Sequence, residues 1–241
     1  MSMLSACMSF LRTDVTLIRH NGILYHMFGL SGNPLTFIFS IVALVVAITI
    51  HEFAHAYAAD RLGDPTPRLQ GRLTLNPLAH LDPIGTLMLL LVHFGWGKPV
   101  QFDPYNLRHP RRDSAIISLA GPATNFVMAI ICAVFLQLLF NTRLAMISQL
   151  FIGLLQPLIV LNVVLGVFNL VPIHPLDGFK IVEGMLPDDY ARQWHELEGY
   201  GMIFLLFLVF PLFGGVSPIS RVISPIIEFI LSMLFPGAQF I

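Results

Sequence analysis

Residues 33–65 read NPLTFIFSIVALVVAITIHEFAHAYAADRLGDP, and this stretch decides the fold. From Asn33 to Ile50 there is no charge, and helix-compatible residues continue through Ala59. Pro34 stands near the start, and Gly63 and Pro65 are helix-stop signals. A bilayer's hydrocarbon core takes about 20 apolar residues in a helix, so the stretch reads as a first transmembrane helix. Three ionisable residues, His51, Glu52 and His55, lie inside it. Such groups cost several kcal/mol within a membrane unless something compensates them, and they mark functional sites by default.

Working outward, two more charge-free runs are long enough to span, Ser114 to Thr142 and Leu144 to Leu176. Pro172 and Pro175 close the latter. Beyond them, Gly199 to Ser220 is broken by Pro211, Gly214 and Gly215, and Val222 to Ile241 carries only Glu228. These two read as a helical hairpin of shorter spans. The whole chain of 241 residues is 56% hydrophobic and only 11% charged, against about 25% charged in soluble domains. So much apolar surface in long blocks excludes a soluble fold and makes the lipid bilayer the chain's solvent.

The 13 basic and 14 acidic residues leave a formal charge of −1. With no basic surplus to neutralise phosphates, nucleic acid is not a partner. Two cysteines, Cys7 and Cys132, make neither a disulfide scaffold nor a CxxC knuckle. Any metal must therefore be held by histidine and carboxylate.

Residues 1–32 mix apolar residues with Arg12, Asp14 and Arg19 and form neither a span nor a signal peptide. They read as a disordered tail or as the product of an upstream start codon, with Met27 the true start. Residues 33–241 form one membrane domain. The longest stretch outside the spans, 61–113, leaves no room for an inserted soluble domain. It holds seven basic residues, Arg61, Arg68, Arg72, Lys98, Arg108, Arg111 and Arg112. Basic loops stay cytoplasmic, so the C-terminal end of the first span faces the cytoplasm. Residues 141–148 then lie outside, and 173–198, with Lys180 and Arg192, return inside. Within the basic stretch, Leu69 to Leu75 alternates apolar and polar residues, which favours a short strand. Pro83 to Gly97 is apolar but too short and broken for a span, so it reads as a re-entrant hairpin.

His51-Glu52-Phe53-Ala54-His55 is an HExxH motif. At 3.6 residues per turn the two imidazoles share a face of the helix and can bind one Zn²⁺. Glu52 points to an adjacent side, where it can take a proton from a water that zinc activates. Zinc then needs a third protein ligand. Few candidates exist, and the favourite is Asp177, in Asn169-Leu170-Val171-Pro172-Ile173-His174-Pro175-Leu176-Asp177-Gly178 at the end of the third span. The prolines open the helix there, which membrane depth tolerates only beside a cavity or packed protein. Asn169 is a buried amide that could hold substrate backbone, stabilise an oxyanion or bond to another helix. In Gly121-Pro122-Ala123-Thr124-Asn125, Gly121 and Ala123 allow close helix approach, and Asn125 reads as packing with a polar support role.

HEFAHAYAADRLGD, AGPATNF and NLVPIHPLDG, in this order on successive spans, resemble the site-2 protease family of intramembrane metalloproteases. The similarity covers roughly residues 35–185. GRLTLNPLAHLDPIG followed by GWGKPV resembles a compact bacterial and archaeal branch lacking an added recognition domain. The resemblance implies that His51, His55 and Asp177 ligate zinc, that Glu52 is the catalytic base and that Asn169 helps stabilise the transition state. It also implies that residues 69–100 form a re-entrant hairpin presenting an extended strand to substrate.

His174 departs from the nonpolar residue expected before the aspartate. It reads as a loop histidine, a pH-sensitive group, a support for the site or a competing ligand. Of the other histidines, His80 with Asp82 reads as a turn, His93 as an interfacial residue, and His20, His26, His109 and His195 as solvated. Trp96 and Tyr105 fit interfacial anchoring.

The expectation is an all-α integral membrane protein, a bundle of about four to six transmembrane helices with a small re-entrant β-hairpin element. Its function is that of an intramembrane zinc metalloendopeptidase in the cell membrane, multi-pass, with its site towards the cytoplasm and transmembrane protein segments as substrates. The oligomeric state is left open. The competing readings are a membrane zinc-binding or zinc-transport protein and an inactive scaffold that binds membrane helices.

Overall fold

The structure is a computed structural model that describes residues 34–86, 97–140, 145–210 and 217–235. The expectations for residues 1–32, for most of the 83–97 hairpin, and for His93 and Trp96 fall outside the described residues. Among the described residues, three helices are long and apolar enough to cross a membrane. They are α1 (Pro34–Leu62), α3 (Pro110–Phe140) and α4 (Ala145–Asn169), with the four-residue α2 (Thr66–Leu69) between the first two. After them come α5 (Asp177–Met185), α6 (Asp188–Glu196), α7 (Glu198–Val209) and α8 (Pro218–Leu234). At 1.5 Å per residue, the 12 residues of α7 reach about 18 Å, short of the bilayer core.

Helix α1 buries a face of small residues, Ser40, Ala43, Ala47 and Ala54, with His51 among them. Small side chains let backbones approach in a bilayer, where apolar burial against lipid contributes little. Helices α3 and α4 close on that face, and all three pack against one another. The apolar core lies deeper, where Ala129, Ala133 and Leu136 of α3 meet Ile159 and Val163 of α4 and Ile223 and Ile227 of α8. Helix α8 is apolar on both sides. Ile219, Ile223, Ile227 and Leu231 face the core, while Val222, Phe229 and Met233 are 64–66% exposed, as a lipid-facing surface requires.

The strand expected at 69–75 does not form, and the β-hairpin element is not supported. The chain instead makes α2, a turn at Gly71 (φ 70°) and a 3-10 turn, Pro77–Ala79. Among the described residues the strand-like contact is the isolated antiparallel bridge between Leu81 and Gly97. The alternation misled because the side chain that needs burial is charged. Arg72 is 5% exposed and Leu69 and Leu75 are 81% and 61% exposed. The Arg72 guanidinium donates to the carbonyls of Ala79 and, at 3.1 Å, Lys98, and so ties the loop to the segment after Gly97.

Candidate metal centre

The turn between α1 and α2 sets the site's rim. Gly63 takes φ 110°, which only glycine adopts freely, and sends the chain back past Asp64. Asp64 is fully buried and accepts from the Thr66 N–H (3.0 Å), the Thr66 hydroxyl (2.6 Å), the Asn106 amide (2.8 Å) and the Asp103 N–H (2.7 Å). Burial alone would raise its carboxyl, but these donors hold it below the usual carboxylate range. The network seats residues 97–106 beside the end of α1. There the Val100 N–H donates to Glu52 Oε2 at 2.9 Å.

Inside the rim, three ligand atoms converge. His51 Nε2 and His55 Nε2 lie 3.0 Å apart, and Asp177 Oδ2 is 3.2 Å from the first and 3.3 Å from the second. The opposite ring nitrogens face acceptors. His55 Nδ1 is 2.8 Å from the Ile117 carbonyl and His51 Nδ1 is 2.7 Å from Asn125 Oδ1. Both Nδ1 atoms must then carry the proton, which leaves lone pairs on both Nε2 atoms. Three electron-rich atoms face each other, and the buried Asp177 Oδ2 has no hydrogen-bond partner. Such a cluster is unfavourable unless a cation fills it. A metal 2.0–2.1 Å from each ligand in tetrahedral geometry needs them about 3.3 Å apart, so the spacing fits zinc.

Gly121 completes the cradle. A Cβ there would sit 2.4 Å from His55 Nε2 and 2.6 Å from His51 Cε1. Gly178 is equally required, since its Cβ would meet the Leu170 carbonyl at 2.3 Å, and this close approach brings the start of α5 under the end of α4. The centre opens into a cavity of ≈ 920 Å³ lined at its polar end by Glu52, Asn169, His174 and Lys180 and along its apolar wall by α1, α4 and α7.

Over 176 residues the chain is 41% identical to the Bacillus subtilis (strain 168) protein named "Putative zinc metalloprotease YwhC", an alignment covering 71% of this chain and 80% of that one. The family model described as Peptidase family M50 matches residues 142–210. This chain belongs to peptidase family M50. Two further relatives are "Putative zinc metalloprotease Rip2" of Mycobacterium tuberculosis (strain ATCC 25618 / H37Rv), 32% identical over 71% of this chain and 66% of that one, and "Zinc metalloprotease MJ0392" of Methanocaldococcus jannaschii (strain ATCC 43067 / DSM 2661 / JAL-1 / JCM 10045 / NBRC 100440), 26% identical over 73% and 42%. No solved structure matches the chain.

The matched M50 segment carries Asn169, His174 and Asp177 but not the HExxH helix, which the fold brings to it. Asn169 lines the cavity, with its amide donating to the Leu165 carbonyl at 3.0 Å. His174 is not one of the converging ligands. Its Nδ1 lies 3.5 Å from Glu198 Oε1 and its ring packs edge-on to Phe179. His80 is buried in its turn, with Nε2 2.8 Å from the Thr74 carbonyl. His109 is exposed, and His195, also exposed, pairs with Glu183 and Glu198. Two contributors, Val100 and Asn162, escaped the sequence reading, and Gly121 does more than the close helix approach expected of it. Val100 acts through its backbone, Gly121 through the absence of a side chain, and Asn162 is a buried amide in an apolar run that pairs with Asn125. Of the two that escaped, only Asn162 left a visible signal.

Proposed function

We propose that this M50 chain is a zinc metalloprotease that hydrolyses peptide bonds of transmembrane protein segments, with its site open towards the cytoplasm. The observation that carries the reading is the convergence of His51 Nε2, His55 Nε2 and the orphaned Asp177 Oδ2 at tetrahedral spacing inside a membrane-spanning bundle. These residues would hold zinc, which when bound polarises a carbonyl and lowers the pKa of water from 15.7 to about 7.

The protein's own groups do the rest. Glu52 takes a proton from the attacking water as its oxygen bonds to the scissile carbonyl carbon. The same proton goes to the leaving nitrogen when the C–N bond breaks. The Val100 N–H holds the carboxylate in place for both transfers. Asn169 exchanges its bond to Leu165 for the substrate oxygen, whose charge grows during attack. The apolar wall receives side chains that leave lipid. The basic residues of 61–113 support the cytoplasmic orientation.

The test measures zinc per chain and cleavage of a transmembrane peptide in liposomes, for the native chain and Glu52→Gln. We expect about one zinc in both and a rate lower by roughly 10²–10⁴-fold in the variant. Retained turnover in Glu52→Gln would remove Glu52 as base. Absence of zinc from the native chain would remove the metal centre.

A further inference from the structure

The two histidines are held differently. His55 Nδ1 faces the Ile117 carbonyl, a backbone acceptor that cannot turn round. His51 Nδ1 faces Asn125, a side-chain amide that can. Rotating that amide by half a turn would present Nδ2–H to the ring. The imidazole would then move its proton to Nε2, the atom aimed at the metal, and cease to be a ligand.

Two acceptors oppose the rotation, the Ala47 carbonyl on α1 and the Asn162 amide oxygen on α4. Asn125 Nδ2 donates to the Ala47 carbonyl at 3.2 Å and to Asn162 Oδ1 at 2.8 Å. Asn162 is itself fixed, because its Nδ2 donates at 2.7 Å to the Leu158 carbonyl, which can only accept. The Leu158 carbonyl on α4 therefore sets Asn162, and Asn162 together with the Ala47 carbonyl on α1 sets the direction of the Asn125–His51 bond. Both amides are fully buried, so no water can substitute for either. We propose that Asn162 is a positioning residue that keeps His51 in its metal-binding tautomer through Asn125. The inference rests on the zinc reading above.

Zinc affinity is measured by chelator competition, and the His51 tautomer by ¹⁵N NMR of the metal-free protein. In Asn162→Leu we expect affinity to fall about 10–100-fold, as for other supports of metal-bound histidines, and His51 to gain Nε2–H character. Asn125→Leu should match it, and the double variant should cost no more than Asn125→Leu alone. Asn162→Ser keeps a donor for the Leu158 carbonyl, but its shorter side chain holds the hydroxyl oxygen back from Asn125, so it should show the same loss if the leucine variant fails to fold. A melting temperature lowered equally with and without zinc, at unchanged affinity and tautomer, would make Asn162 mere helix packing and overturn the proposal. Native protein that binds no zinc would overturn the metal reading first and this inference with it. Native and Asn162→Leu proteins that bind zinc equally would overturn this inference alone.

Discussion

Gly121 contributes no functional group, yet the metal centre depends on its having none. An added methyl would sit 2.4 Å from His55 Nε2, well inside van der Waals contact, and the site is bounded by backbone on α1 and α3. The imidazoles must therefore swing away. We expect Gly121→Ala to lower zinc content after dialysis by at least tenfold, with helix content by circular dichroism unchanged. Full zinc occupancy in the variant would show that the cradle gives way. His51, Glu52 and His55 were legible in sequence because their geometry is local, set by one helix's periodicity. Asp177 was legible by elimination and chain order. Gly121 was legible only as a point of close helix approach; Val100 and the Asn162 contact were not legible, because each acts across a tertiary approach that no spacing encodes.

At the level of elements, the segment 97–106 owes its place to Asp64. Its carboxylate only accepts, and four donors surround it. An amide in its place would set N–H against N–H at Asp103 or Asn106. We expect Asp64→Asn to cost roughly 1–3 kcal/mol at pH 7. The folded pKa is depressed, so the carboxylate's contribution is fully present above the unfolded value of about 3.9 and is lost as pH falls through the folded value. The gap in melting temperature between native and variant should hold from pH 7 to 5 and shrink below 4. A gap independent of pH would assign the defect to shape. The three long spans were legible from uninterrupted apolar runs. The 69–75 strand was misread because alternation assumes that polar side chains point outward, and Arg72 points inward to carbonyls.

The whole molecule joins these parts through depth and direction. His51 stands eleven residues before the end of α1 and Gly121 eleven after the start of α3, so each lies about 16 Å along its helix from the connecting loop. Antiparallel packing thus brings them level. Helix α4 must then run the same way as α1 for Asn169 and Asp177 to arrive on the HExxH side, which makes the 61–113 loop and the 173–198 segment face one compartment. In the proposed orientation, which rests on the basic residues of 61–113, that compartment is the cytoplasm. A single cysteine at Arg108 in a chain with Cys7 and Cys132 replaced by serine should react with an impermeant maleimide only in inverted vesicles. One at Arg143 should react only in right-side-out vesicles. Arg108→Cys and Arg143→Cys labelled from the same side would break the three-span alternation. Both labels exchanged would keep the bundle and turn the metal centre towards the outer face.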